Sequence, residues 1–181
     1  MKTTPFVALA AAMLLAGCES FSLDNAPPPR SEAYRVHLGQ PIVPATIALA
    51  PVNLATANEP NIRAAVAAVG NELGGLGFTP VADVGQAELL GSVSMSTGTA
   101  SQLADSAPAG LRGTTMLPPE APATGLVVEI RRRSNGSMIW QGRAATFRPP
   151  AGGDPATLAG PLAHVLFLGF PGESGRTIRA P

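Results

Sequence analysis

The sequence predicts an α+β fold, in which a mostly antiparallel sheet of about four to six strands carries two helices packed on one face. Three observations indicate this class: alternating strand patterns, two apolar stripes at helical spacing, and a hairpin that joins two strands. The chain has 181 residues, a formal net charge of zero and one cysteine. We therefore expect one domain without disulfides, and no overall field that would attract nucleic acid.

The amino terminus has the pattern of a lipoprotein signal peptide over residues 1–17. An apolar run from Phe6 follows Lys2 and leads to Leu15-Ala16-Gly17-Cys18, which resembles a bacterial lipobox. Small residues fit a narrow processing site, and a cysteine thiolate is nucleophilic enough to accept a diacylglyceryl group. We expect cleavage between Gly17 and Cys18, with palmitate-type acyl chains on Cys18. The apolar run is too short to cross a bilayer as a helix.

The residues after the cysteine predict where the mature protein is anchored. Glu19 is not the aspartate that is usually associated with retention in the inner membrane, so we expect the periplasmic face of the outer membrane. Residues 18–33 contain Ala26-Pro27-Pro28-Pro29-Arg30 and few apolar side chains, which is typical of a flexible tether. Residues 34–181 form the predicted periplasmic domain.

The first half of this domain has strand, helix and strand patterns in that order. Tyr34 to Leu38 predicts one strand, and the alternation between Ala45 and Val52 predicts another. Asn58-Glu59-Pro60 then begins a helix that Gly74 and Gly75 end. Its apolar stripe consists of Ile62, Val66, Val69, Leu73 and Leu76. Ala87 to Thr97 follows as a half-buried strand, with Leu89, Val93 and Met95 on one face and three serines on the other.

Residues 98–124 interrupt these patterns. The segment is rich in small polar residues and proline, which predicts a long mobile loop. Further along the chain, Asp154 and Pro155 predict the start of a second helix, with Leu158, Leu162, Val165 and Leu166 on its inner stripe.

The hairpin from Leu126 to Phe147 is the most specific structural signal. Ser134-Asn135-Gly136 suits a three-residue turn that ends in a left-handed glycine. That turn places Arg133 opposite Ser137. Three further cross-strand pairs then lie on the apolar face of the hairpin: Ile130 with Trp140, Val128 with Gly142, and Leu126 with Ala144. The buried face then holds Leu126, Val128, Ile130, Met138 and Trp140, and the opposite face holds Glu129, Arg131, Arg133, Gln141 and Arg143.

Two motifs near the end of the chain resemble lipoproteins of the domain of unknown function 4136 family. They are Trp140-Gln141-Gly142 and Phe170-Pro171-Gly172-Glu173-Ser174-Gly175, accompanied by Gly77-Phe78 after the first helix. The resemblance covers the region from Glu59 onward and implies a periplasmic α+β domain without an assigned activity. The chain departs from the family pattern where Arg131-Arg132-Arg133 replaces an acidic residue before the turn, and in the length of the 98–124 segment.

Candidate functional side chains are few. Arg131, Arg133 and Arg143 share one predicted sheet face and form a possible anion-binding face, unless they simply line a solvated surface. His37 and His164 lack neighbours at metal-ligand spacing, so we expect no metal and no cofactor. Ser174 lies in Gly172-Glu173-Ser174-Gly175-Arg176, which lacks the second glycine of a nucleophile elbow and favours a chain-reversing turn. We expect no enzymatic activity.

Two functions remain open at the sequence level. The first is a membrane-anchored periplasmic module that binds an envelope protein or cell-wall material. The second is a small-ligand or lipid-binding envelope protein, which would need a cavity between the helices and the sheet.

Overall fold

A computed structural model of the chain describes residues 30–112, 115–147 and 154–180. These residues form seven strands in one sheet and three α-helices. The elements in chain order are β1 (Ser31–His37), β2 (Thr46–Pro51), α1 (Pro60–Gly75), β3 (Thr79–Pro80), β4 (Leu89–Thr99), α2 (Ala100–Ser106), β5 (Pro122–Arg132), β6 (Met138–Phe147), α3 (Ala159–Phe167) and β7 (Thr177–Ala180). The order of strands across the sheet is β3-β2-β4-β5-β6-β1-β7.

The predicted fold class is wrong in three respects: the sheet is mixed, it has seven strands, and a third helix packs on it. Strand β2 runs parallel to both β3 and β4. The reason is α1, whose 16 residues return the chain along the sheet before the next strand begins, and such a crossover makes the two strands parallel. Strands β3 and β7 have two and four residues, too few to leave an alternating pattern.

The other predicted elements of the first half are confirmed. Helix α1 buries Ile62, Val69 and Leu73 completely or nearly so, as its stripe predicts. Strand β4 alternates as expected, because Leu89, Val93 and Met95 face the main core. Strand β1 begins at Ser31, so it includes the last three residues, 31–33, of the predicted tether.

The hairpin has the predicted register over most of its length. Ile130 lies opposite Trp140, Val128 opposite Gly142, and Leu126 opposite Ala144. The prediction is wrong next to the turn, because a bulge shifts Arg131 opposite Met138. Met138 is consequently only half-buried, and Ile139 packs against the core in its place.

A cap segment, which we define as residues 100–112 and 115–121, covers part of the sheet face opposite α1 and the main core, which we call the second face. Sequence analysis missed helix α2 within it, which Thr99 and Gln102 begin with a reciprocal capping box. Leu103 and Leu117 form a small second core with Ala123 and Ala145 of the sheet. The stretch predicted as one long loop therefore contains a helix and buried leucines.

Helix α3 docks on the first face of the sheet beside α1, through Trp140. The indole stacks on Phe167 with ring centroids 5.2 Å apart, and its Nε1 donates a hydrogen bond of 3.0 Å to the Pro171 carbonyl. Gly142 leaves the space that this packing needs: a Cβ there would lie 2.7 Å from the indole and 2.8 Å from Leu166. The Trp-x-Gly motif is thus a packing motif.

Arg35 fastens the carboxyl end of α3 to β1. Its Nε and Nη2 donate hydrogen bonds of 2.7 and 2.8 Å to the carbonyls of Leu166 and Val165, which the helix itself leaves unpaired. Burial lowers the pKa of this guanidinium from its ordinary value. Gly172, with φ of +80°, passes so close that a Cβ would overlap Arg35, and the Gly175 N–H donates to the Arg35 carbonyl.

The two ends of the sheet differ in what they carry. The end at which β1 starts, called the Ser31 end, also holds the last residues of β6, because Ser31 lies opposite Thr146. The opposite end, called the hairpin end, holds the β5–β6 turn and residues 38–45, which follow β1. Seven strand residues separate the two ends along β1, a distance of about 20 Å.

We expect Gly142→Ala to destabilise the fold by about 1–3 kcal/mol, because the new methyl group must displace either the Trp140 indole or Leu166. Urea unfolding followed by Trp140 fluorescence measures the loss. Gly74→Ala is the matched control, since a Cβ at this helical glycine meets no atom within 4 Å, and it should leave stability unchanged or raise it. Equal stability of wild type and Gly142→Ala would contradict the packing described here.

Candidate functional site

The predicted anion-binding face is divided in the structure. Arg131 is exposed, but its guanidinium is hydrogen-bonded to Glu129 and to the Gly136 carbonyl. The bond to Glu129 raises the Arg131 pKa above its ordinary value. Arg133 donates from Nε to the Ala87 carbonyl. Both side chains therefore support the hairpin turn and its neighbour β4.

Arg143 does not join them, because the cap segment buries it to 4% exposure. Its Nη2 lies 3.8 Å from the Glu32 carboxylate, and its guanidinium carbon lies 5.9 Å from the centre of the Tyr34 ring. Burial lowers the Arg143 pKa below its ordinary value, while the charge of Glu32 acts in the opposite direction. The three arginines therefore do not form one exposed surface: the register places Arg131 and Arg143 on one face, and Arg133 lies just beyond the end of β5.

Glu32 connects the sheet to the cap segment. Its carboxylate accepts hydrogen bonds from the Thr115 hydroxyl and from the backbone N–H groups of Met116 and Leu117. The side chain is almost fully buried. Arg143 and the cap together neutralise and solvate this carboxylate, so the pair has a structural role in holding the cap on the sheet.

The hairpin end holds a hollow of about 220 Å³ between residues 38–45 and the adjoining ends of β4 and β5. Two exposed aliphatic residues, Leu38 and Val43, lie on its rim. Arg132 and Glu88, both exposed, supply charge of each sign. The full lining is Leu38, Gln40, Pro41, Ile42, Val43, Pro44, Ala45, Glu88, Leu89, Arg132 and Ile139.

A second, open groove of about 360 Å³ lies on the part of the second sheet face that the cap does not cover. Its floor includes Ala48, Leu90 and Ser92, and the exposed Val84 forms one side. Arg131 lies in its lining and Arg132 in that of the first hollow, so the two depressions lie near the same end of β5 but on opposite faces of the sheet. We call the hollow and the groove together the hairpin-end surface.

The alternative ligand-binding function would need a cavity between the helices and the sheet, but side chains fill the space between α1, α3 and the sheet. Trp140, Leu166 and Phe167 are each 2% exposed or less, and Phe170 packs 5.4 Å from the indole centre. The hollow and the groove both lie outside this interface.

The remaining candidate residues have local roles. Ser174 exchanges hydrogen bonds with the backbone of His37, and the His37 ring lies 3.0 Å from the Gly172 carbonyl, so the Gly-Glu-Ser-Gly stretch is a turn held against β1. His164 is exposed beside Glu72. Cys18 and the predicted cleavage site lie outside the described residues. Within those residues, no helix has the length and apolar content needed to cross a membrane.

Sequence reasoning did not single out residues 38–45 as a functional segment. A signal was present, because Pro41 and Pro44 bracket Ile42 and Val43 in a segment too short for a helix and without strand alternation. In the structure Ile42 packs against the main core, whereas Val43 is left exposed. Val43 is therefore a candidate for an exposed contact surface.

Comparison with solved structures identifies the fold. A protein of the DUF4136 family from Bacteroides thetaiotaomicron superposes with a TM-score of 0.50 and 16% sequence identity, over 78% of this chain and 96% of that one. This chain has the fold of a DUF4136 protein. The likeness supports the family resemblance of the Trp-x-Gly and Phe-Pro-Gly motifs.

A PDZ domain protein from Parabacteroides distasonis is also similar, with a TM-score of 0.56 and 13% identity over 87% of this chain. This chain spans 40% of that protein's length. A PelC dodecamer from Paraburkholderia phytofirmans matches with a TM-score of 0.45 and 14% identity, over 75% of this chain and 93% of that one. No family model and no curated protein matches the sequence.

Because Arg143 is buried and Arg131 is exposed, the same arginine-to-glutamine substitution should lower the free energy of unfolding by different amounts at the two positions. Arg143→Gln should lower the free energy of unfolding by about 3 kcal/mol, because it leaves Glu32 buried without its cation. Arg131→Gln should change it by about 1 kcal/mol or less, because the Arg131 side chain is exposed and water can screen its pair with Glu129. Urea denaturation of both variants tests this. Similar losses in the two variants would contradict the structural role of Arg143.

Proposed function

We propose that this chain is a lipid-anchored module of the bacterial envelope, held at the periplasmic face of the outer membrane through Cys18, and that it binds another envelope protein through the hairpin-end surface. The observation that carries the proposal is the placement of the two ends of the sheet. The chain arrives from Cys18 at the Ser31 end, whereas the hollow with Leu38 and Val43 lies at the opposite end. An anchored domain built this way can present the hairpin end to the periplasm.

The size of the hollow favours a protein partner over a free small molecule. Pockets for drug-sized ligands usually have volumes of about 300–1,000 Å³ and enclose most of the ligand. A hollow of about 220 Å³ that opens to solvent suits one apolar side chain of a partner.

The charges around the hollow indicate what should flank that apolar side chain. The exposed Arg132 can bind a carboxylate in bidentate fashion, and the exposed Glu88 can pair with a basic group. Such rim charges determine specificity and association rate more than affinity. We therefore infer a partner segment with an apolar anchor between charged residues.

Replacing Cys18 by serine should release the protein from the outer membrane into the soluble periplasmic fraction, because the acyl chains provide the attachment. Fractionation of cells that express the wild type or Cys18→Ser tests this, and mass spectrometry of the purified wild type should show the acylated cysteine as the first residue. A variant that stays in the outer-membrane fraction would contradict the anchor.

A photo-crosslinking amino acid at Val43 should yield a discrete adduct with one envelope protein in intact cells. Leu54 is the matched control position, because the exposed fractions of the two aliphatic side chains are 74% and 75%, and Leu54 lies outside the hairpin-end surface. Adding Leu38→Asp should abolish the Val43 adduct, since it places a charge on the rim of the hollow. Identical adducts at both positions would contradict a specific surface.

A further inference from the structure

The Ser31 end carries exposed apolar and basic side chains that lie outside the hairpin-end surface. Phe147 and Met116 are 42% and 41% exposed. Arg30 and Arg179 are exposed at the same end. We propose that this end of the domain rests against the anionic phospholipid surface to which the chain is anchored. The inference relies on the anchor that the proposed function places at Cys18.

The two apolar residues lie at one end and on one face of the sheet. Phe147 ends β6, and it lies on the same face as Ala145 because side chains alternate along a strand. Ala145 lies opposite Glu32, whose carboxylate holds the backbone N–H of Met116 over that same face. Phe147 and Met116 are therefore both exposed on the second face near the start of β1.

The charges of this end complement an anionic surface. The Arg30 carbonyl accepts a hydrogen bond of 2.9 Å from the Phe147 N–H, and Arg179 lies opposite Glu32 in the pairing of β1 with β7. Glu32 is buried, so it does not offset these two cations at the surface. Glu120, an exposed carboxylate of the cap near this end, offsets one of these two cations and leaves a positive balance among the three groups. Aromatic and aliphatic groups flanked by arginine are typical of surfaces that lie at a membrane interface.

The length of chain that leads to this end also favours a lipid surface over a remote partner. Residues 19–29 separate Cys18 from Arg30, and a chain of this length reaches at most about 40 Å. An anchored domain is therefore confined close to the bilayer, at a high effective concentration relative to its surface. Under this confinement, a contact too weak to hold a free protein on a membrane still orients the domain.

The experiment uses the lipidated full chain in vesicles of phosphatidylethanolamine and phosphatidylglycerol, with lipids brominated on their acyl chains as fluorescence quenchers. Phe147→Trp and Met116→Trp are two independent reporters at the Ser31 end. Val84→Trp is the matched control, because Val84 is also an exposed apolar residue, 53% exposed, but lies in the hairpin-end surface. Trp140 is buried and contributes the same background to all three variants. Circular dichroism confirms that each variant is folded.

We expect brominated lipids to quench Phe147→Trp and Met116→Trp, and to leave Val84→Trp at the background level. Arg30→Gln and Arg179→Gln should each lower the contact equilibrium constant about fivefold, and added salt should weaken the contact in the same direction. A blue shift without quenching would indicate burial against a second protein copy and would overturn the inference.

The same sample distinguishes a failure of this inference from a failure of the proposed function. Acylated Cys18 with equal quenching at all three positions, or with quenching at none, would overturn the membrane contact and leave the anchor in place. Unmodified Cys18 in the mature protein would overturn both the anchor and the contact.

Discussion

The packing of Trp140 between the sheet and α3 is the interaction on which the rest of the domain depends. Gly142 provides the space, Phe167 stacks on the indole, and the Pro171 carbonyl accepts its hydrogen bond. Arg35 then binds the free carbonyls at the end of the helix, and the turn that follows is fastened to β1. The motifs that resemble those of DUF4136 proteins are thus the parts of one joint, and their role is structural.

This joint also determines what each end of the domain can do. Because β1 is fixed between β6 and β7, its start and its end are held at opposite sides of the body. The start receives the chain from the proposed anchor and carries Phe147 with two arginines. The end leads into residues 38–45 and the hollow at the hairpin end. This division of surfaces is the basis of the proposed membrane contact at one end and the proposed protein contact at the other.

Patterns in the sequence predicted the elements whose structure depends on residues close together in the chain. The hairpin register followed from Ser134-Asn135-Gly136 and strand alternation, whereas the bulge beside the turn left no pattern in the sequence. Helix α2 escaped detection because Leu103 is the single large apolar residue in an alanine- and serine-rich stretch. The burial of Arg143 depends on the cap, which is held through a contact between Thr115 and Glu32, 83 positions apart. Contacts of that separation have no periodicity from which they could be predicted.

Native-state amide hydrogen exchange tests the central joint most directly. The N–H of Gly175 lies in an exposed turn near the end of the chain, yet it donates to the Arg35 carbonyl within β1. If the joint holds as described, Gly175 exchanges only through the same global opening as the Trp140 strand, with the same dependence on denaturant. Exchange of Gly175 through a local opening, orders of magnitude faster than that of β6, would contradict the account.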